Sequence, residues 1–590
     1  MHNKPKHPKA KNFKESLCKL CKELKPYLAL IIIASIFSMG SFLIAILGPD
    51  KVSDLTNEIK EGITNVINFT NIYNISFYLL LVCLYSIVCE LFNGFIMVNV
   101  SQDFSKELRS KISKKINDMP LKYFDNRPVG DILSIVTNDV DTIFDGLQHG
   151  IANFIYSAVT LVGVLLMMFI TNWQLSLTVI ISSLLGFLLV GIIMSKGHKY
   201  FEEQQKNLGT INGYIEEMYS GHNVVSVYNA FPETKKQFEE YNKNLYKSTQ
   251  RASFFGGMMQ PLMGFAGNFG YVAVCVVGAL LAINDIISFG TIIAFVFYVR
   301  LFSNPLSTIA QCMTKLQSVV AAAERVFEFL DETSLSPEKE GISYINPETI
   351  SGNISFKHVK FGYDESDVIK DFSADIKAGQ KVAIVGPTGA GKTTLVNLLM
   401  RFYEIKSGDI LIDNYSIKDF SRKNLRELFS MVLQNTWLFK GTIKENLVFN
   451  NKHENIEEIV KSYDIPELSS FIESLPNKYE TLLEDNQSLS EGQKQLLTIA
   501  RAMIENCPFL ILDEATSSVD RKTEETIQRA IDKLTENKTT FIIAHRLSTI
   551  QNADLILVLD NGDIREQGTH EELLNLNGFY AELYNSQFEN

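Results

Sequence analysis

The sequence predicts a membrane-embedded, all-α bundle of six helices fused to an α/β domain built around a phosphate-binding loop. Three observations predict it. Hydrophobic residues make up 46% of the 590 residues and concentrate in the first half as nearly continuous apolar runs. After Leu330 the pattern turns to regularly charged, alternating strand and helix signals. One of those strands runs directly into Gly386-Pro387-Thr388-Gly389-Ala390-Gly391-Lys392-Thr393-Thr394.

The chain divides into a tail and amphipathic helix (1–26), a membrane domain (27–330), a linker (331–350) and the α/β domain (351–590). The N-terminus is rich in Lys and His and has no small-residue cleavage site after a short apolar core, so it does not read as a signal peptide. Asn12 to Lys25 reads as an amphipathic helix on the membrane surface, its lysines toward anionic lipid. Cys18 and Cys21 form a CxxC with no second pair or histidines nearby, which argues against metal, and the seven cysteines suggest no disulfide framework. A net charge of −12 disfavours a nucleic-acid partner, because neutralising phosphates needs a dense basic surface.

Six apolar segments run approximately Tyr27–Gly48, Phe77–Val98, Ile151–Ile170, Gln174–Met194, Phe255–Ala282 and Ile286–Phe302. Each is of the order needed to cross a hydrocarbon core, about 20 residues. The connections Asn99–Gly150 and Lys196–Arg251 are long and basic, whereas Asp50–Ile75 is acidic and the other two are very short. The positive-inside rule then places both long connections and both termini in the cytoplasm. Two sequons, at Asn68 and Asn74, read as chance, with a bacterial plasma membrane as the default location.

The long connections carry helices out of the bilayer, and their turns are expected to touch the α/β domain. Pro120–Asp131 (PLKYFDNRPVGD) reads as one such turn and Tyr214–Gly221 (YIEEMYSG) as the other. Within the spans, Glu90 and Arg300 each lie about a dozen residues from the outer end, so at about 1.5 Å per residue both sit about 18–20 Å deep. Intramembrane charges normally face a cavity or a partner. These two therefore either line a translocation cavity or form a structural ion pair or snorkel to water.

In the second half, Lys381–Val385 (KVAIV) reads as a buried strand, and the glycine-rich run after it matches GxxxxGK[ST]. Backbone N–H groups of such a loop cradle phosphates at a helix N-terminus, with Lys392 on the β and γ phosphates and Thr393 on Mg²⁺. A second apolar strand ends in Asp513-Glu514. Asp513 is placed to hold the Mg²⁺ shell and Glu514 to polarise an attacking water.

Between these elements lies Leu489-Ser490-Glu491-Gly492-Gln493, which resembles the LSGGQ signature of the ABC transporter family. The resemblance covers almost the whole chain and looks like a type IV exporter half-transporter, membrane domain first. It implies a RecA-like core with a helical subdomain, ATP and Mg²⁺ as ligands, and a second half-transporter as partner. It also implies roles for residues that match its motifs in order: Tyr363 stacking on adenine, Gln434 as the Q-loop glutamine between Mg²⁺ and the coupling turns, Ser517 to Asp520 as the D-loop, and His545 as the switch histidine. Ser490, Gly492 and Gln493 would act on the nucleotide held by the partner chain.

One residue departs from the family pattern. Glu491 stands where glycine is usual and puts a carboxylate near the partner's γ-phosphate. With Glu514 and His545 of the competent type, the chain resembles the subunit of a heterodimeric exporter that owns one good site and lends a poor signature to the other. The alternative is a homodimer in which Glu491 points to solvent. Export of amphipathic drugs, lipids or peptides is the leading expectation. An ATP-gated regulator or channel and an importer are the competitors, and leader-peptide processing is not expected.

Overall fold

The computed structural model describes residues 12–64, 68–338, 344–434, 436–448, 460, 466–483, 489–513, 521–543 and 550–588. The chain forms two compact units, residues 1–117 with 128–332, and residues 118–127 with 333–590.

The first unit is helical. Among the described residues, four helices are long and apolar enough to cross a membrane: Phe69–Asp118, Val129–Thr171, Trp173–Ser220 and Phe289–Asp331. A pair bent by 52°, Phe13–Glu23 with Lys25–Ser41, makes a fifth candidate, and the remaining expected span, Phe255–Ala282, lies in Phe231–Ile283, whose shorter apolar part is Gly267–Ile283. Leu80, Leu84, Ile87, Leu91 and Phe95 are exposed along one helix. An apolar patch of this kind is costly in water and is satisfied by lipid or another helix. Inside, Phe295, Tyr298 and Val299 of the last helix pack on Val164, Met168, Leu175 and Val179. Below the apolar part, a Cβ on Gly146 would lie 1.9 Å from a methyl of Val319, so the two extended helices meet at a distance only glycine permits.

The N-terminal helix forms as expected, at Phe13–Glu23, and buries Ser16 and Leu20. Its Lys19 Nζ reaches Asp331 at 2.8 Å. The second extension departs from expectation. Tyr214–Gly221 is not a turn, because helix Trp173–Ser220 continues through it and ends at Gly221. The short helix follows at His222–Val227, with Val224, Val227 and Tyr228 exposed around it. The helix stops at Gly221, whose backbone (φ −92°, ψ 14°) leaves the helical range, so the turn begins where the expected segment ends.

The second unit is α/β. Among the described residues its core is a six-stranded sheet in the order Asp563–Gly568, Leu555–Asp560, Lys381–Val385, Thr539–Ile543, Phe509–Asp513, Phe429–Val432, parallel except at the first strand. Alternate residues feed two cores: Leu510 and Leu512 pack on one face, Phe509 and Ile511 on the other. Burial on both faces is why these strands read as continuous apolar runs. A parallel sheet of this kind presents ligands at the carboxyl ends of its strands.

A four-stranded antiparallel sheet flanks this core. Its hairpin turns at Asp413 and Asn414, both with left-handed backbones (φ 45° and 73°) that match the twist of paired strands. The Asp413 carboxylate accepts the backbone N–H groups of Ser351 (2.5 Å), Gly352 (3.2 Å) and Asn353 (2.9 Å) and the Asn353 side chain (2.9 Å). Burial pushes this carboxyl up, but the donors outweigh it and hold the group below its ordinary range. A carboxylate favoured in the folded state stabilises it above the unfolded value, about 3.9, and loses that contribution as pH falls through the folded value. Asp413→Ala should therefore cost about 1–3 kcal/mol at neutral pH. The gap between variant and parent in a thermal unfolding series should close at acidic pH; a gap that is constant with pH would reject the carboxylate as its source.

Candidate nucleotide-binding site

Strand Lys381–Val385 ends at the sheet's carboxyl edge, and Gly386–Gly391 wraps over the start of helix Lys392–Leu399. Gly391 has φ 101°, and a Cβ there would lie 2.7 Å from Ile369 Cδ1. Neither the backbone nor the space admits a side chain, which is why glycine precedes the lysine. Lys392 is buried and donates to the carbonyls of Gly386 (2.7 Å) and Pro387 (3.1 Å). Pro387, Thr388, Gly389 and Thr393 are exposed, and Ala390 is buried beneath them. An exposed loop at a helix N-terminus, with an ammonium anchored in it, fits the phosphates of a nucleotide.

The structure brings Tyr363 to the same loop, its hydroxyl 3.1 Å from Thr394 Oγ1. The ring packs edge-on against Phe361 and Tyr403, with centroids 5.0 and 4.9 Å away. In the same unit, the short helix Leu121–Asp125 forms inside the turn expected at Pro120–Asp131. Lys122 Nζ donates to the Tyr363 carbonyl and to Asp364 Oδ1 at 3.1 Å, and the Tyr403 hydroxyl donates to Asp125. Burial, then the Asp125 bond, push the Tyr403 hydroxyl far above the ordinary phenol range, so it remains a donor. This turn therefore touches the neighbourhood of the adenine-stacking candidate. Sequence reasoning placed the turn but missed Lys122, Asp125 and Tyr403.

Asp513 ends strand Phe509–Asp513, and Gln434 follows strand Phe429–Val432; in register, Asp513 pairs with Ile543 and Val432 with Leu512. Both therefore stand at the carboxyl edge that carries the phosphate loop. A carboxylate, an amide and the Thr393 hydroxyl are hard oxygen donors of the kind Mg²⁺ accepts beside nucleotide phosphates. Glu514, Ser517, Asp520 and His545 lie outside the described residues.

Ser490 caps helix Glu491–Glu505 through a reciprocal box: its hydroxyl accepts the Gln493 N–H (3.3 Å) and its own N–H donates to Gln493 Oε1 (2.9 Å). Gly492 is buried in the first turn. Glu491 forms an ion pair with Lys494 at 2.7 Å. Sequence reasoning missed Lys494, although opposite charges three residues apart on a helix were the available signal. Glu90 and Arg300 are both exposed on their helices, and among the described residues no ion pair joins them.

The family model described as ABC transporter transmembrane region matches residues 27–306, and the one described as ABC transporter matches residues 369–517. The chain is 44% identical over 480 residues to a fatty acid ABC transporter ATP-binding/permease protein of Mycobacterium bovis, covering 81% of this chain and 75% of that protein. It is 37% identical to the uncharacterized ABC transporter ATP-binding protein YfiC of Bacillus subtilis, over 99% of this chain and 96% of that one. An ATP-dependent lipid A-core flippase of Syntrophus aciditrophicus is 32% identical over 85% and 83% of the two chains. With its helical membrane region, its phosphate loop and its signature helix in one polypeptide, the chain belongs to the ABC transporter family, as a multi-pass membrane protein that couples ATP hydrolysis to transport.

Proposed function

We propose that this chain is one half of an ATP-driven exporter of amphipathic, lipid-like compounds, with ATP held between the phosphate loop of one subunit and the signature helix of the other. The observation that carries the reading is the convergence of Gly386–Thr394, Gln434 and Asp513 on one sheet edge in a chain whose other unit is apolar helix. ATP with Mg²⁺ supplies the γ-phosphoryl group transferred to water. Within the chain, the backbone N–H groups of the Gly386–Thr394 loop, Pro387 excepted, and Lys392 bind phosphate, Tyr363 stacks on the base, and Thr393, Gln434 and Asp513 hold the ion. Glu514 accepts the water proton, and His545 steadies the γ-phosphate and that water. Ser490, Gly492 and Gln493 complete the partner's site, and Ser517 to Asp520 supply the D-loop of the family pattern.

Relatives named for fatty acid and for lipid A support an acyl-chain cargo, drawn from membrane lipid or small amphipathic molecules. Glu90 and Arg300 are its proposed polar contacts in the cavity. The basic connections support a bacterial plasma membrane with termini and ATPase on the cytoplasmic side. The exposed apolar residues around His222–Val227 support a second subunit. Glu491 favours a different half-transporter as that subunit. The neutral Glu491–Lys494 pair supports a second reading, a homodimer with two working sites.

Reconstitution into liposomes, alone and with a co-purified second half-transporter, tests the proposal. Lipid-like compounds should stimulate ATPase and be moved outward, and Glu90→Gln or Arg300→Gln should weaken that stimulation several-fold. Full Glu514-dependent transport by the chain alone would reject the heterodimer. No response to any amphipathic compound would reject the cargo class, and unchanged stimulation in both charge variants would reject the cavity role.

A further inference from the structure

Glu491 adds a negative charge to the one helix end that the proposed mechanism points at a partner's triphosphate. Both of its oxygens are engaged within its own chain: Oε1 accepts from Lys494 Nζ at 2.7 Å, and Oε2 lies 3.5 Å from Thr436 Oγ1, two residues beyond Gln434. The Lys494 side chain is only 10% exposed, whereas that of Glu491 is 60% exposed. The lysine stem is thus fixed in the helix packing, and its ammonium sets where the exposed carboxylate rests. An ion pair with so exposed a partner adds little to fold stability. Its consequence is electrostatic, because a carboxylate beside an ammonium acts at a distance as a small dipole and not as a charge.

We propose that Lys494 is a positioning residue that holds Glu491 toward Thr436 and cancels its charge, so that the signature helix still closes on the partner's ATP. The capping box between Ser490 and Gln493 keeps the rest of the helix start in its ordinary geometry. The departure at position 491 is thereby compensated three residues later. In a homodimer this signature acts at both sites; in a heterodimer it acts at the site whose closure on ATP the turnover at the other site requires. This role rests on the reading that Ser490 and Gly492 face the partner's nucleotide.

The test uses the complete transporter and titrates ATPase with ATP. Lys494→Met keeps the buried stem and removes the charge. It should raise the ATP concentration for half-maximal rate about fivefold, with the maximal rate changed less than about twofold, the scale of one uncompensated charge in partly screened surroundings. Adding Glu491→Gln to Lys494→Met should restore half-saturation, Lys494→Arg should retain it, and about 0.5 M KCl should close the gap by screening. A purely structural role would lower the melting temperature and the maximal rate, and Glu491→Gln would not repair it. Unchanged half-saturation in Lys494→Met, or failure of Glu491→Gln to reverse a change, overturns the proposal. Ser490→Ala separates the two layers. If it too has no effect, the signature reading fails; if it impairs turnover while Lys494→Met does not, only the role of Lys494 fails. Should Lys494→Met not accumulate as folded transporter, Lys494→Gln carries the same titration.

Discussion

Glu514→Gln is expected to lower ATP turnover of the transporter by about a thousandfold while leaving ATP binding in place. General-base catalysis contributes about 10²- to 10⁴-fold, and glutamine keeps the size of glutamate but cannot accept a proton. The residue follows Asp513, which the structure places on the same sheet edge as the phosphate loop. The amides of that loop and Lys392 remain in the variant, so nucleotide should bind and the closed dimer should accumulate. Filter retention of labelled ATP should therefore rise as phosphate release falls. The outcome also bears on the pairing of subunits. If this chain owns the only hydrolytic site of a heterodimer, the substitution silences the whole transporter, and the equivalent change in the partner does little. A loss of less than tenfold would mean that another group takes the proton.

Legibility in the sequence followed the range of the interactions. Lys381–Val385 and Phe509–Asp513 were readable as strands because burial on both faces makes each apolar throughout, and the loop after the first carries its chemistry within nine residues. Spans were readable for the same reason: a bilayer demands a long local run of apolar residues. The sequence pattern puts the end of the second extension a few residues early, because a helix continues until its cap and Gly221 begins the turn instead of ending it. What could not be read are pairings between distant positions. Tyr403 and Asp125 lie 278 residues apart, and nothing in either neighbourhood announces the other. The Asp413 cradle for the amides of Ser351, Gly352 and Asn353 is of the same kind. Lys494 is the intermediate case, a local pair whose signal is weak because most i, i+3 charge pairs are ordinary surface contacts.

The second large effect should come from Lys392→Met, and it should differ in kind from the first. The ammonium is buried, donates to the Gly386 and Pro387 carbonyls at 2.7 and 3.1 Å, and stands where the phosphates of ATP gather. Methionine keeps the length of the side chain but leaves two loop carbonyls without that donor and the phosphates without their counter-charge. A charged hydrogen bond contributes about 1.5–3 kcal/mol, so ATP affinity should fall about 10- to 100-fold and turnover should fall to background. Thermal unfolding with and without ATP distinguishes this from Glu514→Gln. At about 100 times its dissociation constant a ligand adds about 2.7 kcal/mol to the state it binds. Glu514→Gln should retain the resulting rise in melting temperature, and Lys392→Met should lose most of it at the same ATP concentration. An ATP-dependent rise in Lys392→Met equal to that of the parent would place the phosphates away from this lysine, and the whole assignment of the loop would have to be redrawn around the helix N-terminus alone.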